Sequence, residues 1–153
     1  MEMSLPFLYN GLRVMSKAFE VIDHTADVGI IAYGADTEDL FSNAALALFS
    51  LITELESIEN RFHLDLVVSS EDTDSLLIEW LNELIYLFDV RHILFSHFDI
   101  TDLTRNGLQA TCYGEHFNAM KHTIKVEVKA ATYHMLKIDK GDDGFRAQVI
   151  LDI

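Results

Sequence analysis

From about residue 18 the chain alternates short runs of β-branched and aromatic residues with longer stretches whose apolar positions recur at helical spacing. Residues 19–22 (FEVI) and 28–33 (VGIIAY) are bounded by polar or glycine punctuation, and both read as strands. Between them DHTAD, residues 23–27, interrupts what would otherwise be one long buried run with two acids, a histidine and a hydroxyl. From Asp36 to Thr53 the residues Leu40, Phe41, Ala44, Ala45, Leu48, Phe49 and Ile52 form one stripe, with Asp36 or Thr37 placed to cap the first turn. This predicts an amphipathic helix. Residues 61–69 follow as a strand, and residues 73–90 predict a second helix that buries Leu76, Leu77, Trp80, Leu81, Leu84, Ile85 and Phe88. Asp36, Thr37 and Leu40 recur 36 positions later as Asp72, Thr73 and Leu76. Any two capped helices of this spacing superpose in that way, and two units do not make a repeat.

The second half is strand-rich. Residues 93–101, 108–115, 122–134 and 145–153 are separated by two turn signals, Asn106-Gly107 and Gly141-Asp142-Asp143-Gly144, which predicts an antiparallel run. Within residues 122–134, Ile124, Val126, Val128 and Ala130 share one face, leaving Lys125, Glu127 and Lys129 on the other. In the last strand Arg146, Gln148, Ile150 and Asp152 fall opposite Phe145, Ala147, Val149, Leu151 and Ile153. The expected architecture is α+β: a mixed, largely antiparallel sheet packed with two amphipathic helices, in one domain over residues 17–153. Residues 1–16 are expected to be an extension with little structure. They do not read as an export signal, because Glu2 stands where positive charge is wanted and Pro6, Asn10, Gly11 and Arg13 break the apolar run.

Composition narrows the function. A chain of 153 residues that is 50% hydrophobic suits one domain with a genuine core. Its 25 acidic residues outweigh 11 basic ones, giving a net charge of −14 that repels a phosphate backbone and favours a basic protein partner. Cys112 is the only cysteine, so no internal disulfide can form. A reducing, cytoplasmic location is expected. No stretch approaches the roughly 20 apolar residues of a membrane helix.

Most polar candidates have an ordinary explanation. A penultimate Asp152 and a strand lysine such as Lys129 are usually solvated surface charges. Cys112 and His116 stand too far apart along a strand for a thiolate and its base, so a small buried thiol is the better reading. His92 and His97 lack metal-ligand spacing, no glycine-rich phosphate loop is present, and Glu54, Glu56 and Glu59 read as a solvated loop that could also face a basic partner.

Four segments change that weighting. DHTADVGI at residues 23–30, YGAD at 33–36 leading into the first helix, EVKAATYH at 127–134 and the terminal VILDI resemble the archease family, and the similarity runs from about Phe19 to Ile153. The resemblance implies a small cytoplasmic accessory protein, not itself catalytic. Its partner would be an RtcB-type RNA ligase, which joins tRNA halves in splicing or repair using GTP and manganese. RNA would then be contacted mainly through the ligase, and GTP used by the ligase. By the same resemblance Asp27, Asp152 and Ile153 hold a divalent metal, calcium in the isolated protein, with manganese or magnesium as alternatives. Lys129 matches the lysine of the family's K-x-x-T-Y motif, which is important for activation.

Elementary chemistry agrees. Two aspartates and an α-carboxylate are hard oxygen ligands, suited to calcium, magnesium or manganese and not to zinc or copper. Three carboxylates, a divalent cation and Lys129 sum to zero formal charge, whereas converging carboxylates alone would repel one another and take up protons. On this reading DHTAD breaks the strand so that Asp27 can face a metal. Thr25 is then a candidate for turning the chain, and His24 and His134 are candidates for orienting the ligands, although a lone histidine in a turn more often only bonds locally. Two other classes stay open. One is a stand-alone metal-dependent hydrolase or phosphoesterase with His24 or His134 as base; the other is a chaperone-like binding module.

Overall fold

The computed structural model describes residues 8–9, 12–13, 17–23 and 27–153. Of the expected N-terminal extension it describes two short strands, β1 (Leu8–Tyr9) and β2 (Leu12–Arg13), paired antiparallel in a ladder of their own. His24 and Thr25 lie outside the described residues.

The remaining elements follow the hydrophobic pattern closely. They are β3 (Phe19–Asp23), β4 (Asp27–Gly34), α1 (Thr37–Ile52), a single 3-10 turn (Leu55–Ser57), β5 (Phe62–Ser69), α2 (Thr73–Arg91), β6 (Ile93–Leu103), β7 (Gly107–His116), β8 (Ala130–Gly141) and β9 (Gly144–Asp152). Both helices start where a short acid can accept an orphan backbone N–H. Asp36 accepts from the Asp39 amide at 2.8 Å, and Asp72 accepts from the Ser75 amide at 2.8 Å in a reciprocal capping box. His92 closes α2 in the left-handed conformation (φ 59°), its amide bonded to the Phe88 carbonyl, so that β6 begins at once.

The fold is α+β with two helices, as expected, but the strands form two larger sheets where the pattern suggested one. β3-β4-β9-β8 and β5-β7-β6 are each antiparallel throughout, and each helix packs on strands of both sheets. The reason lies in α1. Besides its stripe, Ala47 and Leu51 are also buried, so most of its circumference is apolar and it needs cover on two sides. Phe49, Trp80, Phe95 and Phe98 fill the space between the helices and β6. Phe49 stacks on Phe98 and Trp80 meets Phe98 edge-on, both at 5.9 Å, while the Trp80 indole donates to the Phe41 carbonyl at 3.0 Å. Such aromatic pairs add about 0.5–1.5 kcal/mol each beyond area burial.

Where β4 ends, backbones meet directly. A Cβ on Gly34 would stand 2.3 Å from the Leu40 amide nitrogen, and one on Gly144, at φ 123°, would stand 2.5 Å from the Gly34 carbonyl oxygen. Only glycine allows α1 and the β8–β9 hairpin to close on the same strand end.

Residues 122–134 differ from expectation. The ladder starts only at Ala130, and residues 122–129 belong to no strand. They are tied instead to the end of α1, through the Lys125 amide to the Ile52 carbonyl (2.8 Å) and the Thr53 hydroxyl to the Thr123 carbonyl (2.7 Å). The alternation was real: Val128 is buried, Ile124 and Val126 pack on the core, and Lys125, Glu127 and Lys129 are exposed. It reports burial of one face, which a helix end satisfies as well as a strand. Among the described residues no helix is long and apolar enough to cross a membrane.

Candidate functional site

The β4–β9 ladder aligns Val28 with Leu151, Ile30 with Val149 and Ala32 with Ala147, and all six are buried in the core. The intervening rungs therefore face away from the helices. The last of these rungs pairs Asp27 directly with Asp152. Directly opposed residues of an antiparallel pair share a face, with Cβ atoms about 4.5–5.5 Å apart, and like charges so placed repel. β8 begins beside the same rung. Ala130 pairs with Asp152 on its other side, and the Lys129 amide donates to the Asp152 carbonyl at 2.7 Å. Asp27 is half-buried, whereas Asp152, Lys129 and the following Ile153 are exposed, Ile153 at 38%. One end of the four-stranded sheet thus gathers Asp27, Asp152, Ile153 and Lys129 from three separate parts of the chain.

The interruption in the first strand run also has its explanation. β3 ends at Asp23 and β4 begins at Asp27, so the two acids of DHTAD mark the two strand ends. Shifted by one residue, Asp27 would enter the core in place of Val28.

Among the described residues no group of three or more His, Cys, Asp or Glu side chains is placed to hold a metal ion. Asp27 and Asp152 are an oxygen-only pair, which fits a hard cation and not a thiophilic one. Lys129 forms no ion pair with any described residue. His134 is not at this rung: it lies four residues along β8, in an exposed bow where the β8–β9 register jumps from Thr132–Ile150 to Lys137–Gln148. A cavity of about 570 Å³ lies at the opposite end of the same sheet, around Tyr33, Phe145 and Arg146.

The remaining candidates are structural. Cys112 is fully buried, and burial first, then the carboxylates of Asp65 and Asp99, push its thiol up to about 12, which removes it as a nucleophile at neutral pH. His97 pairs with Asp99 at 3.1 Å, Glu54 with Lys125 at 3.4 Å, and Glu59 with Arg61 at 2.9 Å, so the acidic loop is partly ion-paired.

Sequence reasoning missed one polar cluster. Glu115 (5% exposed) and His122 (3%) are buried together. His122 Nδ1 accepts from the Asn118 amide at 3.0 Å, which places the ring proton on Nε2, 2.9 Å from Glu115 Oε2. Glu115 also accepts from the Glu59 amide (2.8 Å) and from Lys121 (2.8 Å). Burial works to raise its pKa, but these donors, Lys121 foremost, outweigh burial and hold it at about 2. The cluster anchors the start of the irregular segment that ends at Lys129.

Over residues 19–153 the sequence matches the Archease protein family (MTH1598/TM1083). The chain belongs to the archease family. It is 36% identical over 141 residues to "Protein archease" of Methanosarcina mazei, spanning 90% of this chain and 97% of the relative. To that of Pyrococcus furiosus it is 41% identical over 141 residues, spanning 90% and 99%. The solution structure of Protein 1598 of Methanobacterium thermoautotrophicum superposes with a TM-score of 0.78 at 41% identity, over 89% of this chain and 99% of that one. A Thermotoga maritima crystal structure, described as an archease and "possible chaperone", matches with a TM-score of 0.63 at 22% identity, over 86% and 94%, and bears on the fold alone.

Proposed function

We propose that this archease-family chain is a non-catalytic activator of an RtcB-type RNA ligase in tRNA splicing or RNA repair, promoting the ligase's guanylylation by GTP and its multiple turnover. The observation that carries this reading is the rung that opposes Asp27 to Asp152, with Lys129, exposed and in no ion pair with a described residue, bonded to its backbone. The acidic tip would enter the ligase's cationic metal and nucleotide cleft, Asp27 and Asp152 presenting carboxylates and Lys129 an ammonium to phosphate. The ligand set would be completed by the carboxylate of Ile153. A divalent cation bound there would supply charge neutralisation between opposed carboxylates. His24, Thr25 and His134 are not needed in this scheme. Mixing the chain with such a ligase and GTP should raise guanylylated ligase over the ligase alone. The isolated chain should leave simple phosphoesters intact, and turnover of those would favour the hydrolase class instead.

Two tests address the metal. Calorimetry with calcium or manganese should give one binding event. At a hundred times the dissociation constant the metal should stabilise the fold by about 2.7 kcal/mol, seen as a raised melting temperature. The Asp27→Asn, Asp152→Asn double variant should lose both effects; unchanged binding would place the metal elsewhere. The second test adds residues after Ile153, which removes its α-carboxylate. That extension should weaken metal binding and activation, while the same residues added before Met1 should not. Equal behaviour of the two fusions would take Ile153 out of the ligand set.

A further inference from the structure

β8 leaves its ladder after Thr132. Residues 133–136 bow outward opposite Val149 alone, Met135 adopts the left-handed conformation (φ 56°), and the Gln148 side-chain amide holds the bow by donating to the Met135 carbonyl at 3.0 Å. A non-glycine residue in that conformation is uncommon. The bow turns two large apolar side chains outward, Tyr133 at 58% exposure and Met135 at 54%.

Tyr133 and Leu136 form one wall of a groove of about 620 Å³, and the start of α2 forms the other, with Glu71, Asp74 and Glu79. Asp72 also lines it but is occupied as the N-cap, and Asp74 lies in the first helical turn, where the helix dipole favours an acid. Glu71 precedes the helix and Glu79 lies beyond the first turn, so neither has that reason to be there. None of Glu71, Asp74 and Glu79 forms an ion pair with a described residue. Among the described residues the groove is lined by no cation; Arg105, on the β6–β7 turn, acts on Asp72 from outside it. Burial, and then the negative field of Glu79, Asp72 and Glu71, raise the Tyr133 hydroxyl above its ordinary pKa. The walls are held at a fixed spacing. Asn82, one turn after Glu79, clamps Ala131 of β8 by accepting from its amide at 2.8 Å and donating to its carbonyl at 3.2 Å.

We propose that this groove docks an extended Lys/Arg-rich segment of a protein partner. An aromatic face beside carboxylates that no described cation pairs is matched by a side chain that is cationic and can lie flat on a ring, which arginine does best. A nucleic acid would meet the carboxylates with its phosphates, and a second copy of this chain would bring its own charge of −14. The proposal goes beyond the activator reading, because it uses neither the Asp27–Asp152 rung nor Lys129 and stands or falls separately.

The test titrates a fluorescein-labelled peptide of alternating arginine and glycine with the full chain, following anisotropy. Tyr133→Ala and, separately, the Glu71→Gln, Glu79→Gln pair should each weaken binding by about tenfold, the loss of one aromatic or paired ionic contact in a desolvated site. Tyr133→Phe keeps the ring and should bind as the wild type does. Glu38→Gln with Glu56→Gln removes the same charge from exposed positions outside the groove and should change binding by less than about twofold if contact, not net charge, is what matters. Thermal melts accompany each variant. Equal weakening by the two glutamine pairs would reduce the effect to net charge and overturn the proposal, as would full binding by a folded Tyr133→Ala variant. A single-stranded RNA that competes for the groove, or a dimer of the free chain that Tyr133→Ala dissociates, would assign it to a different occupant.

Discussion

Lys129→Ala should abolish activation of the partner ligase while leaving the fold and metal binding nearly unchanged. Lys129 is exposed and makes no ion pair with a described residue, and its one recorded tie to the site is a backbone bond to Asp152, which alanine keeps. Truncating such a side chain changes stability by no more than about 0.5 kcal/mol. An ammonium buried against phosphate or a ligase carboxylate in the complex contributes much more, and its loss there costs on the order of 2–5 kcal/mol, a fall of about thirtyfold or more. Lys129→Arg separates two roles. If Lys129 acts as a compact point charge, the bulkier planar guanidinium should restore activity only in part. The measurement is ligase guanylylation under multiple turnover, beside melts with and without calcium. A variant that melts normally and activates fully would reduce Lys129 to a surface charge and leave the effect to the carboxylates.

The stripes of α1 and α2 were legible because a helix buried on one face repeats every three to four residues, and their starts were legible because Asp36 and Asp72 satisfy orphan amides locally. The acids of the site were legible as interruptions: DHTAD breaks an apolar run, and Asp152 stands in a strand of core residues. Their meeting was not legible from spacing, since Asp27 and Asp152 lie near opposite ends of the described chain and only the β4–β9 register opposes them. The partition into two sheets was hidden because alternation names a buried face and not what covers it, which is also why residues 122–129 read as a strand. Glu115 and His122 left no trace in the pattern. A glutamate and a histidine look like surface residues until the fold supplies donors for one and an acceptor for the other.

Glu115 should therefore be the polar position at which substitution costs the fold most. Every contact of its carboxylate that the structure records is a donor: the Glu59 amide at 2.8 Å, Lys121 at 2.8 Å, His122 Nε2 at 2.9 Å and Arg61 Nε at 3.3 Å. Glu115→Ala leaves the buried His122 ring only the Ser57 carbonyl at 3.1 Å and the Lys121 ammonium only Glu59 at 3.3 Å, and should destabilise the protein by about 2–3 kcal/mol. Glu115→Gln is isosteric, but it turns an amide NH₂ toward donors and should cost about 1–3 kcal/mol. The effect must fade with acid. The folded carboxylate is held at about 2, below its ordinary value of 4.5, so the stability it contributes is complete above the unfolded value and is lost as pH falls toward the folded one. Urea denaturation of wild type and Glu115→Gln from pH 7 down to about pH 3 reads this directly. The other acids are common to both proteins and cancel, so the gap between the two curves should stay constant above about pH 5 and narrow below it. A gap that is absent at pH 7, or that does not narrow in acid, would show that the donors around Glu115 do not stabilise its charge. The same variant carries a functional consequence. Loosening His122 frees the start of the segment that ends at Lys129, so activation should fall with the local anchor even at temperatures where the domain as a whole stays folded.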